Sequence, residues 1–201
     1  RVLFRSGSVN INQGTINIQH DFGLGTIAGG VTVANGGALE FQGGVQVGAE
    51  PLTVSGSGIQ GKGAIVGVGD DNIFSGNITF GRNVVAGVEK DSRLTLNGTI
   101  TDALNGYSLT KVGLGKLLMT SANSYGGGTQ IKSGVINIQN NRSLGSNVAG
   151  TVIEDGASLE LQEAVRITDQ KLTVKGDGTA IAPDIIPRDR KSTRLNSSHR
   201  T

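Results

Sequence analysis

Six carboxylates stand where turns are expected: Asp70, Asp71, Asp91, Asp102, Asp155 and Glu160. Paired carboxylates serve as general acid and base, or attack a glycosidic bond, when they converge in space. These six are spread over separate turns, and none sits in a recognisable catalytic motif. Their expected role is to keep a wet face soluble. Only two histidines occur, His20 and His199. A Ser-His-Asp arrangement would have to use His20, and no strained nucleophile turn accompanies it. The chain is therefore read as a non-enzyme with no catalytic residue.

Two glycine-rich loops have the composition of ligand sites. Residues 56–61 read GSGIQG and match G-x-G-x-x-G after an LTV run. Dinucleotide binding on such a loop needs a helix N-terminus next, to meet the pyrophosphate. KGAIVGVG follows instead, which reads as strand and turn, so the glycines are expected at corners. Residues 67–73 read GVGDDNI and resemble most of one calcium-binding nonapeptide, with Val66 where its first glycine belongs. Such sites form between successive copies, so that two turns surround the ion. One copy is present, and the expected cofactor and metal content is none.

The elements that would carry these residues are short and alternating. Apolar residues recur at spacing two in Ile16/Ile18, Leu39/Phe41, Val45/Val47, Leu52/Val54, Ile78/Phe80, Leu94/Leu96, Ile136/Ile138, Leu159/Leu161 and Leu172/Val174. Asn17, Glu40, Thr53, Thr79 and Thr95 fill the positions between them. That period is a strand with one buried and one wet face. Glycine supplies 33 of 201 residues without a Gly-X-Y period, which excludes collagen, and only 3 prolines occur, which excludes a proline-rich linker. No helical crossover is visible. The pattern predicts a solenoid of parallel coils, each about 20–25 residues, with glycine and asparagine at the corners. Asn97, Asn105 and Asn123 are candidates for stacked hydrogen-bonded ladders between coils.

A long internal repeat supports this. Residues 14–58 align without gaps on 134–178, with about 18 of the 45 positions identical. Gly7 and Ile11 fall on Gly127 and Ile131, so residues 7–58 match 127–178.

The stretch 109–138, LTKVGLGKLLMTSANSYGGGTQIKSGVINI, organises the chain. L-T-K-x-G-x-G uses Leu109, Lys111, Gly113 and Gly115. A-N-S-Y-x-G uses Asn123, Tyr125 and Gly127. G-T-x-I-x-x-G uses Gly128, Thr129 and Gly134. In combination these pieces resemble the autotransporter-associated β-strand repeat of secreted passenger domains. The resemblance implies an all-β, right-handed parallel β-helix, here a fragment without caps. It also implies a C-terminal outer-membrane β-barrel translocator on the full-length chain. The protein would then sit at the cell surface of a Gram-negative bacterium, as a structural stalk assisting secretion and display. An adhesin or self-association module, with a host-surface or self-association partner, is the alternative, and a polysaccharide-active β-helix enzyme ranks behind both. No small-molecule substrate is evident.

The ends differ from the body. Residues 188–201 contribute +4 to a net charge of +2, and Arg1 and Arg5 contribute +2, which leaves residues 7–187 at −4. A nucleic-acid partner argued from the basic balance would rest on the tail alone, and none is expected. Residues 1–6 read as an artefactual or non-native start. Residues 188–201, RDRKSTRLNSSHRT, resemble translated sequencing adapter or a disordered basic tail. The β-helix is expected over 7–187. The chain has no cysteine, which suits a polypeptide that crosses an oxidising compartment unfolded.

Overall fold

The structure, a computed structural model, describes residues 7–176 apart from 163 and 169. The sequence expectations for residues 1–6 and 188–201, and the last stretch of the β-helix before 187, lie outside the described residues.

The strands run in chain order as β1 (Val9–Ile11), β2 (Gly14–Ile18), β3 (Val31–Val33), β4 (Gly37–Gln42), β5 (Gln46–Val47), β6 (Leu52–Gly56), β7 (Ile65–Val68), β8 (Asp71–Phe74) and β9 (Ile78–Val88). They continue as β10 (Arg93–Leu96), β11 (Ile100–Thr101), β12 (Leu109–Val112), β13 (Lys116–Met119), β14 (Thr129–Ile131), β15 (Gly134–Ile138), β16 (Thr151–Ile153), β17 (Ala157–Leu161) and β18 (Leu172–Val174). One 3-10 turn, Ile59–Gly61, is the only helical element among the described residues. The strand pairings are parallel. The fold is the all-β solenoid of parallel coils that the alternation predicts.

Register resolves the coils into three stacks. The first holds β1, β3, β6, the start of β9 and β11. The second holds β2, β4, β7, the end of β9, β12, β14, β16 and β18. The third holds β5, β8, β10, β13, β15 and β17. β9 rounds the corner from the first stack to the second without a break, and its exposed bend is Gly81, Arg82 and Asn83.

The core is a column of aliphatic side chains. β6 alternates as expected and β3 does the same, with Val31, Val33, Leu52 and Val54 buried and Thr32 and Thr53 exposed between them. Each buried Val, Leu or Ile contributes about 1.5–3 kcal/mol against exposure. Those contacts are made to adjacent coils, so stability is close to a sum of coil interfaces. Phe41 and Phe74 meet at 5.5 Å between ring centroids inside the column.

The one-wet-face expectation fails at β15, where all five residues are buried. The cause is a polar lid. Asn137 Nδ2 donates to Glu160 at 2.9 Å, and Lys116 reaches the same carboxylate at 2.8 Å, covering the outer surface. Thr95 is also buried, unlike Thr53.

The repeat and the stacks are out of phase. β2 and β15 are equivalent in sequence, yet β2 lies in the second stack and β15 in the third. β1 and β14 are equivalent too, and lie in the first and second stacks. The second copy is therefore rotated by one stack relative to the first.

Candidate functional site

The motif residues converge on the joint between successive coils. Leu109 and Lys111 project inward from β12, and Thr129 and Ile131 from β14, with Leu109 paired to Thr129 and Lys111 to Ile131. A lysine at an apolar position demands compensation, because a buried ammonium without partners is costly. Lys111 is fully buried. Its Nζ donates to the carbonyls of Val112 at 2.8 Å, Gly113 at 2.7 Å and Ser133 at 3.2 Å. Three donors meet three acceptors, so the ammonium is saturated by backbone and needs no carboxylate. Burial pushes its pKa down to about 7.

The glycines of the motif are required by that joint. Gly113 and Gly134 have positive φ, 78° and 69°. A Cβ on Gly134 would lie 2.4 Å from the Gly113 oxygen, and one on Gly113 would lie 2.2 Å from the Val88 oxygen. Both left-handed backbone and close stacking thus exclude a side chain. Gly115, Gly127 and Gly128 are held by close approach alone, to the backbone of Glu89, Tyr107 and Gly150.

Tyr125 is the aromatic anchor of the same joint. It is fully buried, with its ring 5.4 Å from that of Phe80 and its hydroxyl bonded to Thr129 Oγ1. Burial drives its pKa up, and the Thr129 hydrogen bond opposes that only in part. Asn123, read from sequence as a turn residue with ladder potential, is a buried bridge. It accepts from Ile100 N at 2.8 Å and donates to the Ser143 carbonyl at 2.6 Å. Asn97 bonds Thr120, and Asn105 bonds Asp102. The amide ladders stand elsewhere, at Asn17–Gln42 and Gln139–Gln162.

The candidate carboxylates are dispersed, and one corrects the expectation of a wet face. Asp102 is fully buried. Its carboxylate accepts from Leu104 N at 3.1 Å, Tyr107 N at 2.7 Å and Gly126 N at 2.9 Å. Burial raises its pKa, but the N–H groups of Gly126, Tyr107, Leu104 and Gly106 outweigh it, and the net shift is downward. It fixes a turn in which Ala103 and Leu104 both take positive φ. Asp71 pairs with Arg93 in the next coil, and Glu160 with Lys116. Asp70 and Asp91 occupy positive-φ turn positions. In the calcium-like loop, Asn72 is buried and spent on backbone, accepting from Gly44 N and Val45 N. His20 packs on Phe22 at 5.8 Å in its turn. The G-x-G-x-x-G loop passes through the 3-10 turn into β7. No helix of the described residues is long and apolar enough to cross a membrane.

The apolar pairs read from the sequence do not mark β1, β3, β8, β11, β12 and β16. Alternation is present in VNI, VTV and TVI, but in LTKV a lysine occupies a core position and masks it.

Residues 109–138 match the model of the passenger-associated-transport-repeat family. Over 152 residues the chain is 31% identical to the adhesin BmaC autotransporter of Brucella suis biovar 1 (strain 1330). That alignment covers 75% of this chain and 4% of the relative, so the chain spans a small part of the protein it resembles. No solved structure matches it.

Proposed function

We propose, on the premise that this is autotransporter-passenger sequence built on a passenger-associated-transport-repeat, that the solenoid is a structural stalk. It would hold other modules of a longer surface protein away from the cell and assist their secretion. The observation that carries the reading is the coil joint. The motif side chains and glycines are spent on stacking one coil on the next, and the inward carboxylate and ammonium are bonded to backbone. Such residues build a rod.

The secretion role follows from how coils form. Each coil buries its apolar residues against its neighbouring coils, and parallel pairing across about 22 residues is non-local and slow. A chain that stays unfolded in transit and stacks coil by coil after emergence makes return progressively less favourable. A C-terminal outer-membrane β-barrel on the full-length protein is the expected translocator, and the outer surface of a Gram-negative bacterium the expected location. Adhesion is the second reading, favoured by the name of the similar Brucella protein.

The test is surface display of the full-length protein with Ile136→Asp and Ile138→Asp, both in the buried column. Display should fall sharply, while Thr32→Asp on the exposed side of β3 should leave it intact. Equal display of all three proteins would remove the folding-assisted role.

A further inference from the structure

We propose that the corner between the first and second stacks holds a binding groove for an anionic saccharide chain. This goes beyond the stalk reading and does not depend on it.

The groove has a volume of about 410 Å³ and is lined by Asn35, Ser57, Arg82, Asn83, Tyr107 and Thr110 among others. These come from four successive coils. Asn35 lies between β3 and β4, Ser57 between β6 and β7, Arg82 and Asn83 on the bend of β9, Tyr107 just before β12 and Thr110 within it. At ~4.8 Å per coil the row extends roughly 14 Å along the rod, room for a short oligosaccharide.

A break in regularity makes the groove. The register of β6 on β9 shifts between Val54 and Gly56. The chain then detours through a loop closed by Gly63 N donating to the Ser57 carbonyl at 3.0 Å. Asn35 lies over Gly56, where a Cβ would come 2.1 Å from its Oδ1, so the amide forms the floor.

The lining is unspent, in contrast to the cross-coil pairs on other faces of the rod. Outward residues on those faces bond one another: Asn17 with Glu40 and Gln42, Asp71 with Arg93, Lys116 and Asn137 with Glu160, and Gln130 and Lys175 with Glu154. In the groove Asn83 Oδ1 accepts from Ser108 N at 3.0 Å. The side-chain polar groups of Asn35, Ser57, Arg82, Tyr107 and Thr110 make no hydrogen bond or ion pair with any described residue.

That set selects a ligand class. Amides and hydroxyls each donate and accept, as sugar hydroxyls do. A half-exposed tyrosine ring offers an apolar face to a sugar ring. A guanidinium without a carboxylate takes a carboxylate or sulfate in a bidentate pair. The lining suits an acidic glycan better than an apolar peptide, which would find little hydrophobic surface here.

The experiment is calorimetric titration of the whole 201-residue chain with three hexasaccharides, one sulfated, one of uronic acids and one neutral, at about physiological salt. At least one anionic sugar should bind, tenfold or more tightly than the neutral one. Selectivity between the two anionic sugars identifies the anion. Arg82→Gln should weaken binding at least tenfold, and Ser57→Trp, which fills the groove, should abolish it. Arg142→Gln, on another corner, is the charge-matched control and should bind as wild type. Absence of anionic binding, equal binding of the neutral sugar, or unchanged affinity in Arg82→Gln would overturn the proposal. The last result would place binding on other basic residues of the chain. Unchanged β-sheet circular dichroism checks that each variant is folded.

Discussion

The Lys111 ammonium and the Ser133 carbonyl, 22 residues apart in sequence, meet at 3.2 Å across two successive coils. With Val112 and Gly113, that carbonyl turns a core lysine into a staple between coils. Lys111→Ala should cost about 3 kcal/mol or more in urea unfolding, because it leaves a cavity and three unpaired acceptors. Lys111→Met, which fills the space, should cost less than Lys111→Ala.

The same residue sets a pH dependence. Burial holds its pKa at about 7 in the folded chain, against 10.5 ordinarily. Between those values the unfolded chain binds the extra proton, so stability should rise with pH across that window. The rise should be missing from Lys111→Met. Urea midpoints at about pH 7.5 and 9.5 measure it. If wild type and Lys111→Met gave equal slopes, the three carbonyls would be holding the ammonium charged throughout.

Asp102 predicts the opposite limb. Its pKa is lowered in the fold by backbone N–H groups that outweigh burial. Its contribution is complete above the ordinary value of 3.8 and is lost as pH falls through the lowered one. Asp102→Asn should flatten acid unfolding. Asp102→Ala should cost at least ~2 kcal/mol at neutral pH, since the turn N–H groups lose their acceptor.

Two equivalent glycines separate strain from collision. Gly14 and Gly134 occupy matching repeat positions, with φ of 80° and 69°. A Cβ on Gly14 meets nothing within 4 Å, whereas on Gly134 it meets the Gly113 oxygen at 2.4 Å. Gly14→Ala should therefore cost about 1 kcal/mol, the backbone term alone. Gly134→Ala should cost several times more by thermal unfolding, and a matching loss at both sites would show that the backbone of Gly113 gives way.

The fold was legible because its signal is local. Alternation in Leu52/Val54 or Ile136/Ile138 marks a strand, and glycine between such pairs marks a corner. The repeat then requires stacking. What stayed hidden depends on partners distant in sequence. Lys111 reads as polar until the Ser133 carbonyl is placed beside it. Asp102 reads as a solvated turn until Gly126 arrives from the next coil. Asn137 reads as wet until Glu160 and Lys116 close over it. The groove at Arg82 was equally invisible, because it exists only through a register shift between β6 and β9.

The mismatch between repeat and stack gives the rod a handed surface pattern. A feature duplicated with the 120-residue repeat reappears a third of the circumference further round, as β2 and β15 do. Continued at that step, duplicated features would trace a screw thread and come back to the same azimuth only at every third copy. A flat partner lying along one side would meet one copy in three, while a partner that encircles the rod would meet all of them.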